Sequence, residues 1–315
     1  MSNDARTIRF IANATQHAFI TSQADADLFA CRVGEGKSAG LAWSIYHHTL
    51  ENPGARWALI RDTWENLRAT TQKEFFKWFP IGVMGSYNKG EKTYTWTRSP
   101  MSGEVLFLGM DDEKDAAKIQ SLELGGAALD EPAPAAGTGG IAELIFDILL
   151  TRMRQPGMKW YPIKLAENNP DETHWTYRRF VDPGHEDFKF YQTHAAENLS
   201  NLPKDYYEKQ EKHLGHRHDL VRRFVQGKFG FQKLGRDVTP EWNDDLHLAE
   251  SLAPLEGIEL KLLWDFGLNP TCKSHDRYMP GTQQSCNYER TFRRDELQEF
   301  LIAFVECLEA DVVKP

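Results

Sequence analysis

The feature that most constrains this chain is a short turn, residues 34–38, that carries two glycines and ends in Gly-Lys-Ser. An apolar run from Leu28 to Ala30 precedes the turn and predicts a buried strand, while the residues from Ala39 to Tyr46 predict the start of a helix. A phosphate-binding loop requires this order of strand, glycine-bearing turn and helix. The sequence therefore predicts that the chain binds the phosphates of a nucleotide.

Each residue type in the loop suits phosphate binding. Gly34 and Gly36 allow the backbone to curl so that successive N–H groups point at phosphate oxygens. The helix that starts near Lys37 adds the positive end of its dipole. We expect Lys37 to reach the β- and γ-phosphates and the Ser38 hydroxyl to hold Mg²⁺. The full motif is not met, because Cys31 stands where the pattern has a further glycine.

A second signal is a pair of adjacent carboxylates, Asp130 and Glu131, at the end of a short apolar segment that predicts a strand. A P-loop NTPase uses the first carboxylate to order Mg²⁺ and the second to polarise the attacking water. An Asp-Glu pair is common on protein surfaces, so this one is a weak signal by itself. Its distance along the chain from Lys37 fits one or two intervening βα units, so the two patterns support each other.

Strand and helix patterns alternate along the first half of the chain. Residues 55–63 predict an apolar strand, residues 65–79 an amphipathic helix that ends before Pro80, and residues 104–111 another strand. The polar and aromatic stretch at 84–104 predicts a hairpin. This order is typical of an α/β protein with a mostly parallel sheet, in which ligands bind at the carboxyl ends of the strands.

Several other side chains are candidates for the site. Gln16 can offer both its amide N–H and its C=O to an adenine edge, although a surface glutamine is an equally good interpretation. Asn168 and Asn169 follow a predicted strand and could sense the γ-phosphate or the attacking water; the alternative is an asparagine–proline turn. Arg152 and Arg154 end an apolar helix, where they are candidates for an arginine finger or partners of the helix dipole.

Composition narrows the class of protein. A net charge of −9 over 315 residues argues against indiscriminate coating of nucleic acid. Four scattered cysteines indicate a reducing cytoplasm rather than a disulfide framework. No apolar run approaches a membrane span, so we expect no membrane association. Residues 196–236 are the most basic portion and predict a lid or linker near nucleotide or DNA.

In order, these segments resemble the large subunit of a tailed-bacteriophage terminase, the DNA-packaging motor. The resemblance runs from about residue 10 to 271. It rests on the segments 31–38, 57–63, 122–131 and 264–270.

The resemblance implies an α/β fold: an ASCE-type P-loop NTPase whose mostly parallel central sheet is flanked by helices. The implied domains are a P-loop ATPase at 1–195, a small helical lid or linker at 196–255, and an incomplete RNase H-like start at 256–315.

The resemblance also implies roles for single residues. Lys37 and Glu131 would be catalytic, Asp130 and Ser38 would hold Mg²⁺, and Asn168 with Asn169 would form the coupling motif. The residues implied to bind ATP are Gln16, Arg32, Gly34, Glu35, Gly36, Lys37, Ser38 and Ala39.

Asp265 matches the first metal-binding carboxylate of the family's nuclease. Only 50 residues follow it, and they lack the pattern of further strands that a domain on the order of 150 residues requires. We therefore expect an incomplete nuclease and no cleavage.

The resemblance implies a Mg²⁺-dependent ATPase that moves double-stranded DNA into a procapsid in the cytoplasm of the infected bacterial host. DNA would be contacted through its backbone, and the partners would be portal protein, the terminase small subunit and other copies of the chain in a ring. The alternative is a catalytically weak nucleotide-binding assembly module that docks to portal, small subunit or DNA. The missing loop glycine favours the alternative, and the Asp130–Glu131 pair favours the enzyme.

Overall fold

The structure is a computed structural model that describes residues 8–110, 115–133, 140–193, 197–215, 217–230, 262–265, 272–276 and 289–292. The chain divides into two compact units, Met1–Arg236 and Asp237–Pro315. Within the described residues, no helix is both long enough and apolar enough to cross a lipid bilayer.

Eight strands form the central sheet of the first unit, in the order β3-β4-β5-β2-β6-β7-β1-β8. Their bounds are β1 (Ala26–Ala30), β2 (Ala55–Arg61), β3 (Gly85–Asn88), β4 (Thr93–Trp96), β5 (Gly103–Gly109), β6 (Gly126–Asp130), β7 (Ile163–Glu167) and β8 (Phe188–Tyr191). The β3–β4 and β4–β5 pairs are antiparallel, and the other five pairs are parallel. The predicted α/β class with a mostly parallel sheet is confirmed.

Helices cover both faces of this sheet. They are α1 (Ala14–Thr21), α2 (Lys37–Glu51), α3 (Trp64–Asn66), α4 (Gln72–Trp78), α5 (Ala116–Gln120), α6 (Glu143–Arg152), α7 (Trp175–Phe180), α8 (Tyr206–Leu214) and α9 (His218–Leu220). Two π-helical turns, Leu67–Thr71 and Val221–Val225, continue α3 and α9, and Leu199–Asn201 forms a 3₁₀ turn.

The central strands are buried on both faces, as is typical of a parallel sheet that helices cover on each side. Every residue of β1, β6 and β7 is buried, because helices pack on both faces of these strands. Phe75 makes edge contacts with Tyr94 and Phe107 on one face. Phe146 packs against Trp175 on the other.

Two predicted elements differ in their bounds. The apolar segment 160–165, which predicts the strand before Asn168, forms a strand only from Ile163, where pairing with β1 and β6 begins. The polar pattern from Asp205 to Phe224 predicts one helix, but this stretch forms α8, α9 and a π-helical turn, with a break near Gly215. The described part of the predicted lid lies in the first compact unit, and its role as a lid stays a prediction.

The second unit contains a three-stranded antiparallel sheet in the order β11-β10-β9. The strands are β9 (Leu262–Asp265), β10 (Cys272–Asp276) and β11 (Glu289–Phe292). Two further strands therefore follow Asp265, and the incompleteness of the nuclease stays a prediction. Both later strands are short and mostly polar, so no alternation of apolar residues marks them. The sequence at 295–305 predicts an amphipathic helix, and these residues lie outside the described part of the chain.

Candidate functional site

The glycine-bearing loop lies between the carboxyl end of β1 and the first residue of α2, as the sequence predicts. Gly34 and Gly36 have φ values of 83° and 76°, in the left-handed region that favours glycine. A Cβ atom on Gly36 would lie less than 3.0 Å from the Gln16 Nε2. The backbone angle thus favours glycine at position 36, and a larger residue would also have to displace the Gln16 amide of α1.

The Lys37 side chain is turned into this loop and is only 7% exposed. Its Nζ donates to the carbonyl oxygens of Cys31 and Arg32, at 3.1 and 2.8 Å. It also donates to Oδ1 of Asn168, the residue after β7, at 3.0 Å. The ammonium group is therefore held between the loop and the end of a second strand.

The Asn168 amide also contacts Glu131, which directly follows β6. Its Nδ2 lies 3.1 and 3.2 Å from the two carboxylate oxygens of Glu131. Burial raises the pKa of Glu131, and the nearby Lys37 opposes that rise. Asn168 thus bridges the loop lysine and the second residue of the acidic pair, and three strand ends converge on one point.

Asp130, the last residue of β6, is 2% exposed. Its Oδ2 accepts hydrogen bonds from Thr71 Oγ1 at 2.5 Å and from Arg61 Nη1 at 3.3 Å. Its Oδ1 has no hydrogen-bond partner among the described residues. Burial raises the pKa of Asp130, and Arg61, Thr71 and the hydroxyl of Ser38 are among the groups that oppose this rise.

These contacts test whether Mg²⁺ fits between Ser38 and Asp130. A free carboxylate oxygen beside a serine hydroxyl supplies the hard oxygen ligands that Mg²⁺ prefers. The described residues contain no group of three or more His, Cys, Asp or Glu side chains arranged to hold a metal. The donor set therefore suits an ion that takes one or two protein ligands and completes its shell with phosphate and water.

Helix α8 lies against the outer side of the loop. The Tyr207 hydroxyl lies 2.9 Å from both the Val33 carbonyl oxygen and Glu35 Oε1. Arg32 donates from Nε to Glu35 Oε1 at 2.7 Å, and its guanidinium carbon is 4.2 Å from the centre of the Tyr207 ring. Arg32 and Glu35, both predicted to bind nucleotide, are thus engaged with a residue of the basic segment.

Neither a family model nor a curated protein matches the sequence. Solved structures do match the fold. The large terminase of a thermophilic bacteriophage superposes with a TM-score of 0.60 at 16% identity, over 93% of this chain and 74% of that chain. The large terminase of bacteriophage HK97 gives 0.52 at 12% identity, over 69% and 50%. The ATPase domain of the Thermus phage P74-26 large terminase gives 0.50 at 14% identity, over 70% and 95%.

The chain has the fold of the phage large terminases. The terminase resemblance stated from the sequence is confirmed at this level. The roles of single residues within the terminase fold stay predictions, since identities of 12 to 16% show the fold alone.

Gln16 lies beside the glycine-bearing loop, and its side-chain amide forms hydrogen bonds with other residues of the protein. Its Nε2 donates to the Gly36 carbonyl oxygen at 2.9 Å, and its Oε1 accepts from the Asn13 backbone N–H at 3.0 Å. The side chain is 4% exposed. Gln16 therefore supports the loop in this structure, and its contact with adenine stays a prediction.

The two asparagines after β7 have different surroundings in this fold. Asn168 bonds to Lys37, whereas Asn169 is fully buried and bonds to other residues. The Asn169 carbonyl accepts from Arg223 Nε at 2.9 Å, and its Oδ1 accepts from Gln192 Nε2 at 3.3 Å.

Arg152 and Arg154 lie near the amino end of β6, whereas the loop lies at the carboxyl ends of the strands. Both arginines contact the segment that leads into β6. Arg152 Nη1 donates to the Gln120 carbonyl at 2.5 Å, and Arg154 pairs with Glu123 at 3.7 Å. Neither contributes to this chain's own loop. A finger role toward a neighbouring subunit stays a prediction.

Asp265 is the last residue of β9 in the second unit. The predicted strand that ends near this residue is present. The role of Asp265 as a nuclease metal ligand stays a prediction.

Four residues near the site lie outside the predicted motifs: Thr71, Glu167, Tyr207 and Arg223. No pattern within a few adjacent residues assigns any of them a contact with the site. A fifth residue, Arg61, bonds to Asp130 and lies at the carboxyl end of β2, where ligands bind in parallel sheets.

Proposed function

We propose that this chain is the Mg²⁺-dependent ATPase of a phage DNA-packaging motor. The observation that carries the proposal is the Asn168 amide, which joins Lys37 of the loop to Glu131 of the acidic pair. An ATPase needs a phosphate-binding cation and a water-activating carboxylate on either side of the γ-phosphate, and the shared contact with Asn168 supports Lys37 and Glu131 in these roles. The large terminase of the thermophilic bacteriophage has been solved with ADP and with ATP-γ-S, which supports a nucleotide as the ligand.

ATP would bind through the backbone N–H groups of residues 34–39 and the dipole of α2. Lys37 would exchange its contacts with Cys31 and Arg32 for phosphate oxygens, and Gln16 would reach the adenine edge. Arg32 would have to leave Glu35 before its charge could assist phosphate binding. Nucleotide binding therefore involves rearranging contacts that the loop now makes with itself.

Hydrolysis would use Glu131 as the general base. Its carboxylate would accept a proton from a water whose oxygen attacks the γ-phosphorus, and the bond from that phosphorus to the β–γ bridging oxygen would break. Mg²⁺ bound by Ser38 and Asp130 would neutralise charge on the phosphates. Asn168 would orient Glu131 and the water, while Lys37 would stabilise charge on the phosphoryl oxygens.

The partners follow from the terminase likeness. We propose double-stranded DNA contacted through its backbone phosphates, portal protein, the terminase small subunit, and further copies of this chain in a ring. The Lys- and Arg-rich segment 196–236 supports a DNA or nucleotide contact on this side of the protein. Arg152 or Arg154 of a neighbouring copy would complete each site. The cytoplasm of the infected host would be the place of action.

The second candidate is a catalytically weak nucleotide-binding module. One observation favours it: Cys31 replaces a loop glycine. Such a module would bind ATP and dock to other packaging components without turnover.

Steady-state phosphate release separates the two candidates. We expect the parent chain to hydrolyse ATP and Glu131→Gln to lose turnover by about 100-fold or more, while its affinity for ATP-γ-S stays within about two-fold. Glu186→Gln is the matched control, because it removes an exposed carboxylate in the same unit. Equal phosphate release by Glu131→Gln and the parent chain would overturn the catalytic assignment.

A further inference from the structure

Residues 223–227 contact two parts of the candidate site at once. The Phe224 carbonyl accepts a hydrogen bond from the Val33 N–H of the loop at 3.0 Å. Arg223 Nε donates to the Asn169 carbonyl after β7 at 2.9 Å. Gln192 Nε2 donates to the Gly227 carbonyl at 2.8 Å and thereby holds the far end of the segment. The segment is thus tied both to the loop and to the strand end that carries Asn168.

Within this segment, Arg223 has a buried side-chain donor that lacks a hydrogen-bond acceptor among the described residues. It is 2% exposed, and its Nη1 has no acceptor within the described part of the chain. A buried guanidinium normally fills its hydrogen-bonding positions, because an unpaired donor in a low-dielectric interior is costly. The carboxylates that act on its charge are Asp171, Asp219, Glu167 and Glu131.

A buried cationic N–H beside a phosphate loop is suited to an anionic oxygen. Because Arg223 holds the carbonyl of Asn169, its guanidinium lies one residue from Asn168, which contacts both Lys37 and Glu131. The γ-phosphate of a bound ATP would lie between those two residues, whereas the phosphates of ADP would stop short of Glu131. The free donor is therefore placed to distinguish triphosphate from diphosphate.

We propose that Arg223 binds the terminal phosphate of a nucleoside triphosphate in cis, through Nη1, and so links the 223–227 segment to the state of the nucleotide. This proposal rests on the ATPase function proposed above. Arg223 keeps its bond to Asn169 in either nucleotide state, and only the contact to the γ-phosphate changes. The 223–227 segment, which is bonded to Val33 of the loop, thereby depends on whether the γ-phosphate is present.

The test compares the affinities of ATP-γ-S and ADP for the full chain in the presence of Mg²⁺. For Arg223→Met, which keeps an unbranched apolar stem but removes the guanidinium group, we expect ATP-γ-S affinity to fall about 10-fold and ADP affinity to stay within about two-fold. Arg223→Lys keeps the charge without the planar fork, and we expect about a three-fold loss for ATP-γ-S. Arg222→Met, in the same turn, is the control and should behave like the parent chain.

Equal losses for the two nucleotides would show that Arg223 only supports the fold, and unchanged ATP-γ-S affinity would also overturn the proposal. Circular dichroism and thermal melting establish that each variant is folded, and Arg223→Lys decides the matter if Arg223→Met is not. If the parent chain bound neither nucleotide, the ATPase proposal would fail as well. If the parent chain bound both nucleotides and Lys37→Ala bound neither, nucleotide binding at the loop would stand. The Arg223 variants alone would then decide whether Arg223 contacts the terminal phosphate.

Discussion

Asn168 holds both oxygens of the Glu131 carboxylate, at 3.1 and 3.2 Å from its Nδ2. The same side chain accepts from Lys37 through Oδ1. One amide therefore connects the positive and negative groups that ATP hydrolysis would use, and its removal should affect the chemical step more than nucleotide binding.

For Asn168→Ala we expect ATP turnover to fall about 10-fold or more, because Glu131 loses the donor that orients it. ADP affinity should stay within about two-fold, since the loop amides and Lys37 remain. Phosphate release and equilibrium ADP binding measure the two effects separately. Asn66→Ala, which removes an exposed asparagine of α3, is the control. Turnover equal to that of the parent chain would contradict the role of Asn168.

Gly36→Ala should weaken nucleotide binding by about 10-fold or more and destabilise the fold by about 1–2 kcal/mol. The left-handed angle at Gly36 opposes any Cβ atom, and this Cβ would also press on the Gln16 amide. Gly157→Ala is a sharp control, because Gly157 has a φ of 86° with nothing within 4 Å of the added carbon. The control should lose stability without losing nucleotide affinity. Equal nucleotide affinities for the two variants would contradict a phosphate-binding role for the loop.

The loop and the acidic pair could be predicted because each is encoded within a few adjacent residues. The fold class could be predicted for a similar reason, since β1 and β2 contain the short apolar runs 28–30 and 57–60. Which asparagine faces Lys37 could not be predicted, because the answer depends on where β7 ends, and one residue of shift exchanges Asn168 and Asn169.

Tyr207 and Arg223 could not be found from the sequence because their contacts with the loop and with β7 join segments far apart in the chain. Arg152 and Arg154 are candidates for an arginine finger by residue type alone. Their position near the amino end of β6 depends on where α6 packs in the fold, which no local pattern specifies. The strands after Asp265 were missed because their residues are mostly polar.

A buried ion pair should support the fold independently of the site. Lys164 Nζ lies 2.6 Å from Asp27 Oδ2, and the two side chains are 1% and 0% exposed. Lys164→Met leaves Asp27 charged and buried, so we expect a loss of about 3–5 kcal/mol in the free energy of unfolding, measured with urea. The double variant Lys164→Met with Asp27→Leu should recover part of that loss. A double variant no more stable than Lys164→Met would contradict the isolated-charge explanation.

Stability should also depend on pH through Glu167. Burial is the main cause that raises the pKa of Glu167 to about 8, and Thr176 opposes it. Because the folded pKa exceeds the unfolded value of 4.5, the folded state binds more protons between these values. The stability that Glu167 contributes is therefore fully present below about pH 4.5 and is lost as the pH rises to about 8, by at most about 1.4 kcal/mol per pH unit.

Glu167→Gln tests this dependence. The glutamine oxygen can still accept from the Ala133 N–H, which now donates to Glu167 Oε2 at 2.9 Å. We expect the stability of the variant relative to the parent chain to increase from about pH 5 to about pH 8, as measured by urea unfolding. The difference between the two proteins removes the contributions of other titrating groups. A difference that is constant with pH would show that Glu167 is charged in the folded protein.

The most direct test is a crystal structure of the chain with ATP-γ-S and Mg²⁺. We expect the terminal phosphate between Lys37 Nζ and the Glu131 carboxylate, with the metal between Ser38 and Asp130. A nucleotide bound away from the loop at residues 31–38, or a terminal phosphate on the far side of the sheet from Glu131, would contradict the proposed ATPase.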